Sequence, residues 1–395
     1  MATVCIFSVK IFYRDSNCYY TCGGFGLYLE QMCKNFDWVI LVCKTRIGPP
    51  PKGYYRIEFP NLDILTVPAG RNELAALAVQ PLVFFKGIIA VRRSDVVHAR
   101  MPDWSGITGN LVARLFDVPR FNQVIDDWKG LANTIPASRK YGLGFGLKLL
   151  LHFYDWLERI VLRGEIVFAQ GRISYDKHEN AWRRYLVLSS AHYDNDIGVV
   201  IPKITNSRIN VLAVGRLHDV KNHQLLIRAL AILRYNDPRW HLRILGEGAK
   251  RRELEELAKD LGIKDYVSLP GNVPHDERLW HEYDAADMFV LPSISEGTPK
   301  VVLEAMARGC PVIASAVSGV PDAVKHTERG LLFPSGDLDA LVSAMRRMAN
   351  DETLRLSCQH AALAFSSQHT VERSTQFMLE KVSEAYPNLI PLRHG

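Results

Sequence analysis

The nine residues from Glu296 to Glu304, EGTPKVVLE, set one carboxylate on each side of a helix start. Pro299 suits a first helical position, where φ is already helical and a missing N–H costs nothing. Backbone donors of Gly297, Thr298, Lys300 and Val301 crowd that terminus, and free N–H groups together with the helix macrodipole hold an anion such as phosphate there. Glu304 lies about 6 Å further along the axis, at a rise of about 1.5 Å per residue. A carboxylate there repels phosphate but accepts hydrogen bonds from vicinal hydroxyls, as on a ribose. Glu296, ahead of the helix, is placed to grip a second set of hydroxyls beyond the phosphates. Taken singly, Glu304 reads equally as a solvated helix residue and Glu296 as a loop charge. Taken together, they describe a site for an elongated, anionic, polyhydroxy ligand.

Three other stretches suit the same ligand. In VGRLHDVKNH, residues 214–223, Gly215 ends a strand and lets a ligand approach the backbone, while Arg216 and Lys221 can clamp a diphosphate. In ILGEGAK (244–250) and LPGNVP (269–274), strands turn through glycine, exposing the backbone around Gly246, Glu247 and Val273. In CGGFG (22–26), Gly23 and Gly24 permit close approach of a phosphate or a sugar. The strand-to-glycine loop is too long there for a dinucleotide fingerprint, and G-x-G-x-x-G is not met. Each of these also reads as an ordinary turn.

The E-x7-E pattern after a strand, continuing as AMARGCPVIAS, resembles the signature of the family-4 retaining glycosyltransferases, whose fold is GT-B. The similarity is strong over residues 210–334 and weaker before them. It implies a nucleoside-diphosphate sugar as donor substrate, with Arg216 and Lys221 on the diphosphate. Glu296 would join these two in catalysis. Gly215, Gly246, Glu247, Val273, residues 297–301 and Glu304 would line the rest of the donor, and the Gly23–Gly24 loop would face donor phosphates and acceptor. Two features depart from the family. Asp126 stands where many members have a histidine that positions the acceptor, and the Asn-Gly-Val-Asp segment common before the linker is missing. His98, ending the preceding strand, is a second acceptor-site candidate but reads better as a packed histidine.

The elements that must position these residues alternate strand and helix, which implies α/β architecture with parallel sheets flanked by helices. Strands are expected at 4–8, 38–43, 96–99, 120–125, 167–169, 211–214, 288–291 and 311–314. Helices are expected at 24–34, 71–91, 105–116, 146–163 and 174–185. Periodicity lapses over 194–208. The 395 residues exceed one ordinary core. The expected division is an acceptor-binding Rossmann-like domain over 1–200 and a donor-binding one over 201–369, facing a cleft. By resemblance, a last helix at 370–386 packs back on the first domain.

Composition bounds the rest. Hydrophobic content of 48% and charged content of 23% are those of a globular protein. Seven cysteines, several in apparent strands, are expected as free thiols. No metal cofactor is expected: Asp194-Asn195-Asp196 and Asp337-Leu338-Asp339 spell D-x-D, but the first falls in the linker and Asp337 suits a helix cap. The first 200 residues carry the whole net charge of +6, which admits an anionic membrane surface, while no nucleic-acid motif is found. In residues 146–163, Lys148, His152, Asp155, Arg159 and Arg163 form a polar stripe. That helix either dips into an anionic membrane face or, preferably, is a core helix with one wet edge.

The expected function is sugar transfer from a nucleoside diphosphate, UDP among the candidates, to a saccharide or polyprenyl-linked acceptor in bacterial surface-polysaccharide assembly. The expected location is the cytoplasm, at the inner membrane face. A nucleotide-sugar epimerase or hydrolase and a non-catalytic nucleotide-sugar-binding module are the alternatives.

Overall fold

The computed structural model describes residues 2–51, 53–70, 78–125, 143–188, 190–200, 207–296, 299–387 and 389. Contacts divide the chain into two units, Met1–Val187 with Glu372–Gly395, and Leu188–Val371.

The first unit holds β1 (Thr3–Asp15), β2 (Cys18–Thr21), β3 (Trp38–Ile47), β4 (Tyr55–Ile57), β5 (Leu62–Pro68), β6 (Val96–Met101), β7 (Arg120–Val124), β8 (Ile166–Gln170) and β9 (Arg183–Val187). Strands β5-β3-β1-β6-β7-β8-β9 are parallel throughout. Strand β2 folds back antiparallel on the far end of β1, and β4 on β2. Every residue of β6 and β8 is buried, as expected where helices cover both faces.

Several elements differ from the sequence expectation. Strand β1 runs to Asp15 because, beyond a register shift between Phe7 and Ile11, its second half finds partners in β3 and β2. The helix expected over 174–185 is confined to Arg172–Lys177. The residues after it become β9, whose backbone groups pair with β8 from Ile166↔Arg183 to Gln170↔Val187. No periodicity in Arg183-Arg184-Tyr185-Leu186-Val187 announces that pairing.

The helix Leu143–Val161 departs in part from its expected orientation. Asp155 and Glu158 point inward, where Lys177 binds both at 2.6 and 2.7 Å. Leu149, Phe153, Trp156 and Ile160 are 63, 48, 55 and 45% exposed. Of the expected wet edge, His152, Arg159 and Arg163 are exposed over the buried Leu151, Tyr154 and Val161, whereas Asp155 is buried. A buried cation from a neighbouring helix claims the carboxylates and turns an apolar stripe outward.

The second unit is one parallel six-stranded sheet: β10 (Ile209–Val214), β11 (Trp240–Leu245), β12 (Val267–Gly271), β13 (Met288–Leu291), β14 (Val312–Ser315) and β15 (Leu331–Phe333). The order β12-β11-β10-β13-β14-β15 reverses direction between β10 and β13, the switch point where open α/β sheets bind ligands. The boundary between units falls after Val187, not at residue 200. The intervening chain is tied to the second unit: Gly198 N–H donates to Ala307 O (2.8 Å), Arg308 to Asp196 O (2.7 Å) and Val371 N–H to His192 O (2.9 Å). The helix Val371–Ala385 belongs with the first unit from Glu372 onward. Phe377 meets the Tyr185 ring edge-on at 5.9 Å, and Tyr386 meets Trp182 at 6.1 Å.

Candidate functional site

At the switch point of the second unit, the loop after β10 and the loop after β13 lie side by side, because Val211 and Leu212 pair with Met288 and Phe289. Ile294 N–H donates to Val220 O at 2.8 Å and knits the loops together. Lys221 and Glu296, 75 positions apart, form an ion pair with Nζ 2.5 Å from Oε1. The Ser293 hydroxyl donates to the same carboxylate oxygen at 2.5 Å. Ser293 is itself fixed by Ser315, whose hydroxyl donates to Ser293 O. The Lys221 stem lies beside Gly215, where an added Cβ would stand 3.4 Å from Lys221 Cε. Arg216, by contrast, is exposed and makes no ion pair among the described residues.

The backbone of this rim is packed closely enough at residue 246 to require glycine. Gly246 has φ +144°, and a Cβ there would stand 2.0 Å from Gly215 O. The two strand ends can touch only without side chains. Glu247 is partly exposed and pairs with Arg251 at 2.7 Å. His223, opening the helix His223–Asn236, is buried beneath this rim. Burial and then the Lys221 charge push its pKa down to about 4, so it is neutral at pH 7.

Pro299 is the N-cap residue of the helix Lys300–Ala307, outside the helix proper. Gly297 and Thr298 lie outside the described residues. Glu304 is not a solvated helix residue: it is 3% exposed and held by Tyr283 Oη (2.8 Å) and His275 Nε2 (3.3 Å). Burial opposes its ionisation, yet the His275 hydrogen bond and charge and the Tyr283 hydroxyl leave its pKa lowered. Burial likewise opposes charge on His275, and Glu304 reverses the outcome and raises its pKa. The carboxylate has about four lone-pair sites, so this grip leaves capacity for a hydroxyl ligand. Val273 is half-buried on the same turn that carries His275.

Sequence reasoning named Lys221, Glu296 and Glu304 but missed Ser293, which holds Glu296, His275 and Tyr283, which hold Glu304, and the buried His223. His275 directly follows LPGNVP, and a buried carboxylate's need for a cation was the signal available. The D-x-D aspartates are engaged locally. Asp196 accepts from Tyr193 N–H (2.7 Å), and Asp337 caps the helix Leu338–Asn350 through Ala340 N–H (2.9 Å).

In the first unit, the helix Gly23–Asn35 starts at the Gly23–Gly24 loop. His98 on β6 is fully buried. It shares a 2.6 Å hydrogen bond with Tyr28 and stacks on Phe121 with ring centroids 4.4 Å apart. Burial, then the Arg100 charge, hold it well below the usual histidine range. Asp126 lies outside the described residues.

Residues 200–364 match the family described as glycosyl transferases group 1. A D-inositol 3-phosphate glycosyltransferase of Corynebacterium jeikeium is 34% identical over 413 aligned residues, covering 94% of this chain and 93% of that protein. The chain belongs to the group 1 glycosyl transferases. This glycosyl transferase is also 31% identical to the amylovoran biosynthesis glycosyltransferase AmsK of Erwinia amylovora, over 44% of the chain and about half, 45%, of that relative's length. Among solved structures, Anabaena Alr3699/HepE in complex with UDP superposes with a TM-score of 0.69 at 18% identity, over 97% of this chain and 100% of that one. That likeness shows the fold: two Rossmann-like domains of the GT-B kind.

Proposed function

We propose that this group 1 glycosyl transferase moves a sugar from a nucleoside-diphosphate donor to a saccharide or lipid-linked acceptor, with retention at the anomeric carbon. The observation that carries the reading is the Lys221–Glu296 pair at the switch point of the second sheet, with Arg216 exposed on the same loop as Lys221 and in no ion pair among the described residues. Arg216 and Lys221 receive the diphosphate, aided by the start of the helix Lys300–Ala307. Glu304 accepts from ribose hydroxyls and Glu296 from hydroxyls of the sugar. In the transfer step the bond from the anomeric carbon to the diphosphate oxygen breaks and the bond to the acceptor oxygen forms on the same face. The departing diphosphate takes the acceptor proton, and the two cations stabilise the charge that develops on it. Those cations supply the neutralisation for which other transferases use a metal, so turnover is expected to persist in excess chelator.

Matches to the amylovoran enzyme and to a UDP-bound structure favour polysaccharide assembly and make UDP the first nucleotide to test. The exposed stripe Leu149, Phe153, Trp156 and Ile160 is flanked by His152, Arg159 and Arg163, while the helix's acidic residues Asp155 and Glu158 are buried. An apolar face rimmed by cations suits the surface of an anionic membrane. None of the described helices is long and apolar enough to cross one.

The test is a melting scan with UDP, GDP and ADP, followed by product analysis with a donor panel. A ligand binding only the native state at a hundredfold excess over Kd adds about 2.7 kcal/mol. No shift with any nucleotide, or release of free sugar at the same rate with and without acceptor, would overturn the reading.

A further inference from the structure

We propose that Arg100 is the core of a second oxyanion site, in the first unit, which holds a phosphate group of the acceptor. This rests on the transferase reading and names the class of acceptor. Arg100 is the penultimate residue of β6, at the point where the first sheet reverses direction between β1 and β6, the place where such sheets take ligands. It is 4% exposed, and both Nε and Nη1 lack a hydrogen-bond partner. No carboxylate among the described residues pairs with it. A guanidinium in that state has lost its water without gaining a counter-charge, an arrangement that is costly unless an anion completes it.

Two aromatic rings flank the Arg100 guanidinium. Its Cζ lies 4.8 Å from the Phe25 ring centroid and 4.6 Å from that of Tyr28, over the first turns of the helix Gly23–Asn35. Cys22 precedes that helix and contributes no side-chain cap, and no acidic residue occupies its first turn. Thr21, fully buried, has a hydroxyl without a partner, and Gln123, facing Arg100 across the β6–β7 register, has an unpartnered Oε1. An oxyanion beside Arg100 would take the guanidinium as donor, backed by the positive end of the helix dipole. Tyr28 and His98, hydrogen-bonded to each other, stay neutral, so the hydrogen bond between Tyr28 and Arg100 brings the guanidinium no counter-charge.

The experiment uses the full chain carrying Arg216→Ala and Lys221→Ala, so that phosphate has no grip on the donor side. Inorganic phosphate should raise its melting temperature saturably, and chloride at equal ionic strength should not. Adding Arg100→Met should abolish the shift, and Arg100→Lys should retain part of it. Should Arg100→Met fail to fold, alkylation of Cys22 by iodoacetamide, followed by mass spectrometry with Arg100 intact, gives the answer: phosphate should slow it several-fold. In the chain with an intact donor site, Arg100→Met should leave UDP affinity unchanged. Phosphate shifts that survive Arg100→Met, Cys22 alkylation indifferent to phosphate, or weakened UDP binding in Arg100→Met would each overturn the assignment. An intact chain that binds no nucleotide would overturn the transferase reading separately.

Discussion

Replacing Glu296 by glutamine should move two measurable quantities in opposite directions. In the ligand-free chain Glu296 neutralises Lys221 at 2.5 Å, with the two side chains only 10 and 18% exposed. A diphosphate oxygen placed on Lys221 Nζ would put phosphorus about 6 Å from the carboxylate, given ordinary charge-assisted hydrogen-bond lengths. At an effective dielectric of about 20 that like-charge repulsion is about 3 kcal/mol. Lys221, lying between the two, screens part of it, which leaves about 1–2 kcal/mol, or about 5- to 30-fold in affinity. Glu296→Gln keeps the shape and the Ser293 hydrogen bond while removing the charge, so UDP should bind more tightly by that factor. Turnover should nevertheless fall about thirty- to a thousandfold, because a charged contact to the sugar near the reacting carbon is worth about 2–4 kcal/mol in the transition state. Titration calorimetry gives the first quantity and initial rates at saturating donor the second. A variant that binds UDP more weakly and melts lower would show that the pair is only structural, and unchanged turnover would remove Glu296 from the chemistry.

Other outcomes follow from the same geometry. His275→Gln should destabilise in a pH-dependent way. The raised pKa of His275 means its pairing contributes fully below the usual histidine value and fades as pH rises through the raised one, whereas the lowered pKa of Glu304 means its contribution fades as pH falls below the usual carboxylate range. The melting-temperature difference from the parent should thus be largest at about pH 5–6 and shrink toward pH 8; a flat difference would contradict the pairing. Gly246→Ala should cost about 2–4 kcal/mol in urea unfolding, since its Cβ would collide with Gly215 O at a positive φ; a loss within about 0.5 kcal/mol, the size of an ordinary surface change, refutes that contact. Flotation with anionic liposomes should weaken with salt and be lost in Trp156→Asp, while neutral liposomes should recover little protein; equal recovery of parent and variant would show that the stripe does not meet the membrane.

The sequence by itself determined the strands, glycine turns and helix starts of the second unit. Strand, glycine turn and helix start follow one another within a few residues there, so local propensity, capping chemistry and spacing sufficed to single out Gly215, Lys221, Glu296 and Glu304 as candidates. The alternation of apolar runs with amphipathic helices likewise determined parallel α/β sheets, because strands covered on both faces leave that mark. What only tertiary structure decided was pairing between distant segments. Lys221 meets Glu296 because β10 and β13 are neighbours in the sheet, and Glu304 is buried because His275 and Tyr283 reach it from other elements. The edge strand β9 exists because β8 offers it hydrogen-bond partners. The helix Leu143–Val161 shows the limit most plainly. Periodicity gives the angle between its polar and apolar residues, but which of them face inward was decided by Lys177, a buried cation from the next helix, which binds Asp155 and Glu158 and leaves Trp156 in water.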